Sequence, residues 1–94
     1  MPNSYLGLET LSDDDLLLIY KTTKNDKYLA VIYSRYYEKV FHKCLTFTKE
    51  KSKAFDLTQD ILVKALRNVS NFEGKAAFSS WLYRITYNNC VDYV

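Results

Sequence analysis

At 94 residues the chain is long enough for one modest hydrophobic core and too short for two. Two Gly, one Pro and long stretches of helical periodicity favour an all-α domain, and a formal net charge of +2 is too small to announce nucleic-acid binding by itself. No run approaches the roughly 18 apolar residues of a membrane span, and residues 1–11 lack the basic start and apolar stretch of a signal peptide, so a soluble, cytoplasmic protein is expected.

Charge is unevenly placed. Asp13, Asp14 and Asp15 sit near the start, whereas Lys21, Lys24, Lys27, Lys39, Lys43, Lys49, Lys51 and Lys53 occupy the next part of the chain. Nine Tyr and five Phe exceed what so small a core needs, which leaves two uses open: helix packing, or surface contact and stacking. Cys44 and Cys90 lie far apart in predicted helices with no CxxC or Cys/His spacing, so reduced structural thiols are expected and no metal or cofactor is implied.

In chain order, residues 1–11 are expected to be a poorly ordered lead-in. Ser12 offers an N-cap oxygen with Asp15 three positions on, and the Asp run complements a helix dipole, so a short first helix should reach about Tyr20. An acidic docking patch is the other reading of that run. Residues 21–26 form a polar connector. Leu29, Ile32, Tyr33, Tyr36, Val40, Cys44 and Leu45 then recur at three- and four-residue steps, which predicts a long helix from about Asp26 to Phe47. His42 stands alone in it, without a carboxylate, Cys or second His at ligand spacing, and carries no metal or catalytic role.

The third predicted helix, about Glu50 to Val69, separates into two faces. Ala54, Leu57, Thr58, Ile61, Leu62, Ala65, Leu66 and Val69 form the inner one. Asp56, Gln59, Asp60, Val63 and Arg67 form the outer one, a mixture of acid, amide and one exposed Val that reads either as a solvated face or as a docking surface for a basic helix. Asp56 and Asp60 lack a complementary nucleophile or ligand set, so no catalytic residue is assigned and no enzymatic activity is expected.

Ser70 and Asn71 break the pattern, and Gly74 permits a sharp turn before a last helix from about Ala76 to Val94. Phe72 is either a staple into the core or a wall for an unstacked base. Phe78, Trp81, Leu82, Ile85 and Asn89 share the side expected to be core. Arg84, Asn88 and Asp92, four apart, form a neighbouring polar stripe suited to reading the edge of an extended ligand.

Three motifs in order, Asp56-Leu57-x-Gln59-Asp60, then Asn71-Phe72-x-Gly74, then Phe78-x-x-Trp81-Leu82-Tyr83-Arg84-Ile85-x-x-Asn88-x-x-x-Asp92, resemble the second conserved region of bacterial sigma factors. The pattern looks like the extracytoplasmic-function group of the sigma-70 family and covers about residues 12–94. The resemblance implies a compact bundle of three main helices plus the short leading one. It implies a transcription-initiation domain in which Asp56, Gln59, Asp60, Val63 and Arg67 meet the clamp helices of the largest subunit of core RNA polymerase. It also implies that Asn71, Phe72, Gly74 and Lys75 belong to a loop capturing a base flipped from the non-template strand of the promoter minus-ten element, with Arg84 and Asn88 reading upstream neighbours. Asp92 is expected to orient Arg84 or Asn88, or to accept from a cytosine amine.

Such factors generally continue into a second helix-turn-helix domain. This sequence stops at Val94 and therefore looks like an amino-terminal domain alone. Between Lys75 and Val94 only Lys75 and Arg84 are basic, so DNA binding by the isolated domain is expected to be weak and strongly salt dependent. An anti-sigma factor is an implied partner. The rival reading from another class is a helical protein-docking adaptor with a sigma-like fold and no DNA reading.

Overall fold

The computed structural model describes residues 7–93. Among them the order is a 3-10 turn Leu8–Thr10, helices α1 (Asp13–Thr23), α2 (Asp26–Thr48) and α3 (Lys51–Arg67), a second 3-10 turn Val69–Asn71, and α4 (Phe78–Tyr93), with no strand. This is the expected all-α class, one short helix leading three longer ones. The chain divides into two compact units, residues 1–35 and residues 36–94, and α2 contributes to both.

In the first unit, Ser12 caps α1 as its position predicts: its Oγ accepts from the Asp15 backbone N–H at 3.1 Å. Of the lead-in expected over residues 1–11, residues 1–6 lie outside the described residues, and residues 8–10 form the first 3-10 turn. Arg35 organises that turn. Its Nη1 donates to Asp13 Oδ1 at 2.9 Å, and its Nη2 is directed at the carbonyls of Leu8, Glu9 and Leu11. A guanidinium suits this role because its planar fork presents several donors in fixed directions. Among the described residues of this unit, Leu16, Leu17, Val31 and Ile32 are the buried apolar ones.

Helix α1 runs to Thr23, a turn beyond the expected end. Thr23 Oγ1 donates to the Ile19 carbonyl at 3.0 Å, and Lys24 closes the helix in the left-handed conformation with its N–H on the Tyr20 carbonyl at 2.7 Å. The connector shrinks to Lys24 and Asn25, whose Oδ1 accepts from the Lys27 N–H at 3.0 Å and starts α2.

The second unit packs the rest of α2 with α3 and α4. Ala54, Thr58, Ile61, Leu62, Ala65 and Leu66 of α3 are buried, as the inner face predicts, while Leu57 is half-buried at its edge. Thr58 tolerates the core because its Oγ1 donates to the Ala54 carbonyl at 2.7 Å. Val40 and Cys44 of α2 and Phe78, Leu82, Thr86 and Cys90 of α4 complete the interior. Aromatic edges join the helices at the rim: Tyr36 meets Phe78 and Tyr83 with centroids 5.7 and 6.0 Å away, Tyr37 meets Phe55 at 6.3 Å, and Phe47 meets Tyr87 at 6.1 Å.

On α4 the buried row is shifted from the one expected. It runs through residues 78, 82, 86 and 90, and leaves Trp81, Ile85 and Asn89 half-buried along its border. Thr86 and Cys90 lie in this buried row and outside the predicted one. The fold accepts Thr86 because its hydroxyl donates to the Leu82 carbonyl at 2.9 Å.

Candidate functional site

The outer side of α3 presents Asp56, Gln59, Asp60, Val63 and Arg67 to solvent, each where the periodicity places it. Val63 is 40% exposed, a β-branched apolar side chain among polar neighbours. Gln59, Asp60, Val63, Lys64, Arg67 and Asn68 line an open groove of ≈ 560 Å³. Lys64 and Asn68 join this groove without belonging to the predicted outer stripe, and Lys64 changes its electrostatics. Asp60 faces a groove that also holds two cations, so the surface is mixed in charge rather than an acid and amide stripe.

Phe55, outside the predicted stripe, is 45% exposed on the same helix. It stands four residues before Gln59, and 55, 59, 63 and 67 follow one another at the spacing of a single helical row. That spacing was the available signal. Phe55 and Val63 give the row two apolar points flanking Gln59, the arrangement in which aromatic and aliphatic anchors serve an interface.

The segment before α4 is built as an anchored loop. Asn68 Nδ2 donates to the Lys64 carbonyl at 2.8 Å, and the N–H groups of Asn71 and Phe72 then reach the carbonyls of Asn68 and Val69, turning the chain out of α3. Phe72 is 9% exposed, and its ring lies 5.5 Å from both Phe78 and Trp81, which are themselves 5.6 Å apart. Of the two roles open to Phe72, staple or base wall, this placement is that of the staple. The residues after it are exposed. Gly74 adopts φ +76, where an added Cβ would meet no neighbour within 4 Å yet would strain the backbone. Lys75 Nζ lies 3.3 Å from Glu73 Oε1, so the one loop cation is partly offset by its own neighbour.

Arg84, Asn88 and Asp92 are exposed along the outer side of α4. Beside them runs a row not singled out from sequence, Tyr83, Tyr87 and Val91, with Tyr87 55% exposed. Lys39 and Lys43 of α2 join Tyr83 and Thr86 around a cavity of ≈ 200 Å³. The outer side of α4 is therefore aromatic as well as polar, which answers where part of the Tyr surplus goes. Lys64 Nζ of α3 donates to Asn89 Oδ1 of α4 at 3.1 Å, while Asn89 Nδ2 donates to the Ile85 carbonyl.

Among the described residues no group of three or more His, Cys, Asp or Glu is arranged to hold a metal ion, and no helix is long and apolar enough to cross a membrane. Cys44 and Cys90, both free and buried, are brought together by α2 and α4 with their sulfurs 3.9 Å apart.

Comparison with known proteins identifies the family. The chain is 29% identical over 87% of its length to the RNA polymerase sigma-H factor of Pseudomonas aeruginosa. It is 33% identical over 85% of its length to the ECF RNA polymerase sigma-E factor of Haemophilus influenzae, and 33% identical over 92% to the ECF RNA polymerase sigma factor SigM of Mycobacterium tuberculosis. It spans 43%, 42% and 43% of those relatives respectively. The family model described as Sigma-70 region 2 matches residues 32–94, which takes in the outer face of α3, the anchored loop and the stripe of α4, and the chain belongs to that family.

Proposed function

We propose that this domain binds core RNA polymerase through the outer face of α3 and opens the promoter minus-ten element by capturing the non-template strand with the loop over residues 71–77 and α4. The observation that carries the reading is the pairing of an anchored loop with exposed Arg84 and Asn88, one helical turn apart, on the helix that the loop feeds. Asn donates and accepts at a base edge, and Arg holds either a base edge or a phosphate. Opening needs no covalent chemistry. A loop that holds an unstacked base better than the duplex does offsets an unstacking cost of about a few kcal/mol.

On the docking side, Phe55 and Val63 supply apolar anchors and Gln59, Asp56 and Asp60 the polar complement to a basic helical partner. Phe72 acts from beneath the loop, fixing its path. Asn71, Gly74 and Lys75 form the exposed part that meets the base. An anti-sigma protein covering either face is the partner that would hold the domain inactive.

The test is fluorescence anisotropy of labelled single-stranded oligonucleotides with randomised minus-ten sequences, measured with and without core polymerase at low salt. Sequence-selective binding that tightens with polymerase is expected. Asn88→Ala and Arg84→Ala should lower that selectivity without changing thermal stability, since both side chains are exposed. Gln59→Ala combined with Asp60→Lys should abolish the polymerase-dependent gain while the domain stays folded. Polymerase binding with no oligonucleotide preference would instead identify a docking adaptor.

A further inference from the structure

Two thiols 46 residues apart in sequence meet inside the second unit, and nothing in polymerase docking or DNA reading uses them. Cys44 of α2 and Cys90 of α4 are both fully buried, and Cys90 Sγ lies 3.9 Å from Cys44 Sγ in hydrogen-bonding geometry. Each sulfur is thus the other's neighbour, and the pair sits at the contact between the central helix and the helix that carries Arg84 and Asn88.

We propose that Cys44 and Cys90 are a modification site, a dithiol that a peroxide oxidises to an intramolecular disulfide locking α4 to α2. The sulfur separation has to shorten from 3.9 Å to about 2.05 Å. That is a small approach of two side chains that already touch.

The step balances with hydrogen peroxide as the oxidant. The thiolate of one cysteine attacks a peroxide oxygen, the O–O bond breaks, and the released hydroxide takes a proton to leave as water, giving a sulfenic acid. The second cysteine's sulfur attacks the sulfenic sulfur, the S–O bond breaks, and the departing hydroxyl leaves with the second thiol's proton as another water. Two thiols and one peroxide become one disulfide and two waters.

Burial sets the rate. Removal from water, then the neighbouring Cys44, pushes the Cys90 thiol up to about 12, with Lys43 nearby opposing the shift. Near neutral pH Cys90 is therefore a thiol, and closure depends on local opening of the helices that admits the oxidant and permits ionisation. The pair is a slow sensor, faster at mildly alkaline pH.

The experiment exposes the folded, reduced chain to hydrogen peroxide, then unfolds it in the presence of a thiol-alkylating reagent and measures intact mass. A monomer lighter by two hydrogens and free of alkyl groups is expected, restored by reductant and melting at a higher temperature than the reduced chain. Cys90→Ala and Cys44→Ala should each leave one alkylatable thiol and show no such monomer. Recovery of both thiols fully alkylated, or addition of oxygen atoms in place of hydrogen loss, overturns the proposal. Should a variant fail to fold, the mass of the oxidised wild type decides alone. The effect on promoter reading rests on the function proposed above, whereas the mass measurement stands without it. A disulfide that forms while oligonucleotide selectivity is absent would separate the two.

Discussion

Helices α3 and α4 have nearly equal lengths, 17 and 16 residues, and belong to the same packed unit, yet they divide their surfaces by different rules. On α3 the inner side is apolar apart from Thr58 and the outer side polar apart from Phe55 and Val63, so hydropathy nearly separates the sides. On α4 both sides are amphiphilic. Its buried row includes Thr86 and Cys90, and its outer side carries Tyr83, Tyr87 and Val91 beside Arg84, Asn88 and Asp92. The outer side of α4 thus mixes aromatic and polar groups along its length, whereas on α3 the exposed large apolar side chains are Phe55 and Val63, set among polar neighbours.

The hardest test of that comparison removes one central leucine from each helix. Leu62→Ala in α3 and Leu82→Ala in α4 both vacate fully buried positions and should each cost about 3 kcal/mol, read as a drop in the denaturation midpoint. A loss well below about 2 kcal/mol in either variant would mean that its leucine does not fill a packed core position. Phe72→Ala comes next. Its ring is nearly as buried but lies at the loop, so about 2 to 3 kcal/mol should be lost, and selectivity for oligonucleotides should fall with it. Full stability in that variant would show the ring is not a staple.

The smallest effect sharpens the point about α4. Thr86→Val keeps the side-chain shape and deletes a hydroxyl whose bond runs back to its own helix at Leu82, so stability should stay within about 1 kcal/mol of wild type. A larger loss by thermal melting would reveal a role for that hydroxyl beyond the helix. The spread from leucine to threonine then measures how much of α4 is held by apolar volume and how little by polar groups.

The helices themselves were legible because three- and four-residue recurrence is a local property. The inner row of α3 from Ala54 to Leu66 and the solvent exposure of Asp56, Gln59, Asp60, Val63 and Arg67 follow from that periodicity, and Ser12 as a cap follows from residue type and its spacing to Asp15. Residues 1–6, within the expected lead-in, lie outside the described residues. The family was legible too, from three motifs in fixed order. Helix ends were less so: α1 outruns its expected end because Thr23 and Lys24 satisfy the last carbonyls, and α3 stops at Arg67 where the Asn68 amide and the following 3-10 turn take over.

By itself, then, the sequence determined the helical class, the order of elements and the identity of the outer α3 stripe, since each depends on neighbours along one helix. Tertiary structure decided the azimuth of α4, the inward turn of Phe72, the groove that sets Lys64 and Asn68 beside the outer α3 stripe, and the meeting of Cys44 with Cys90. Those depend on which surface the neighbouring helices leave vacant. Periodicity gives the spacing of a stripe on one helix but cannot say how far the helix is rotated when polar residues on its inner side, such as Thr86 and Asn89, bond to their own backbone.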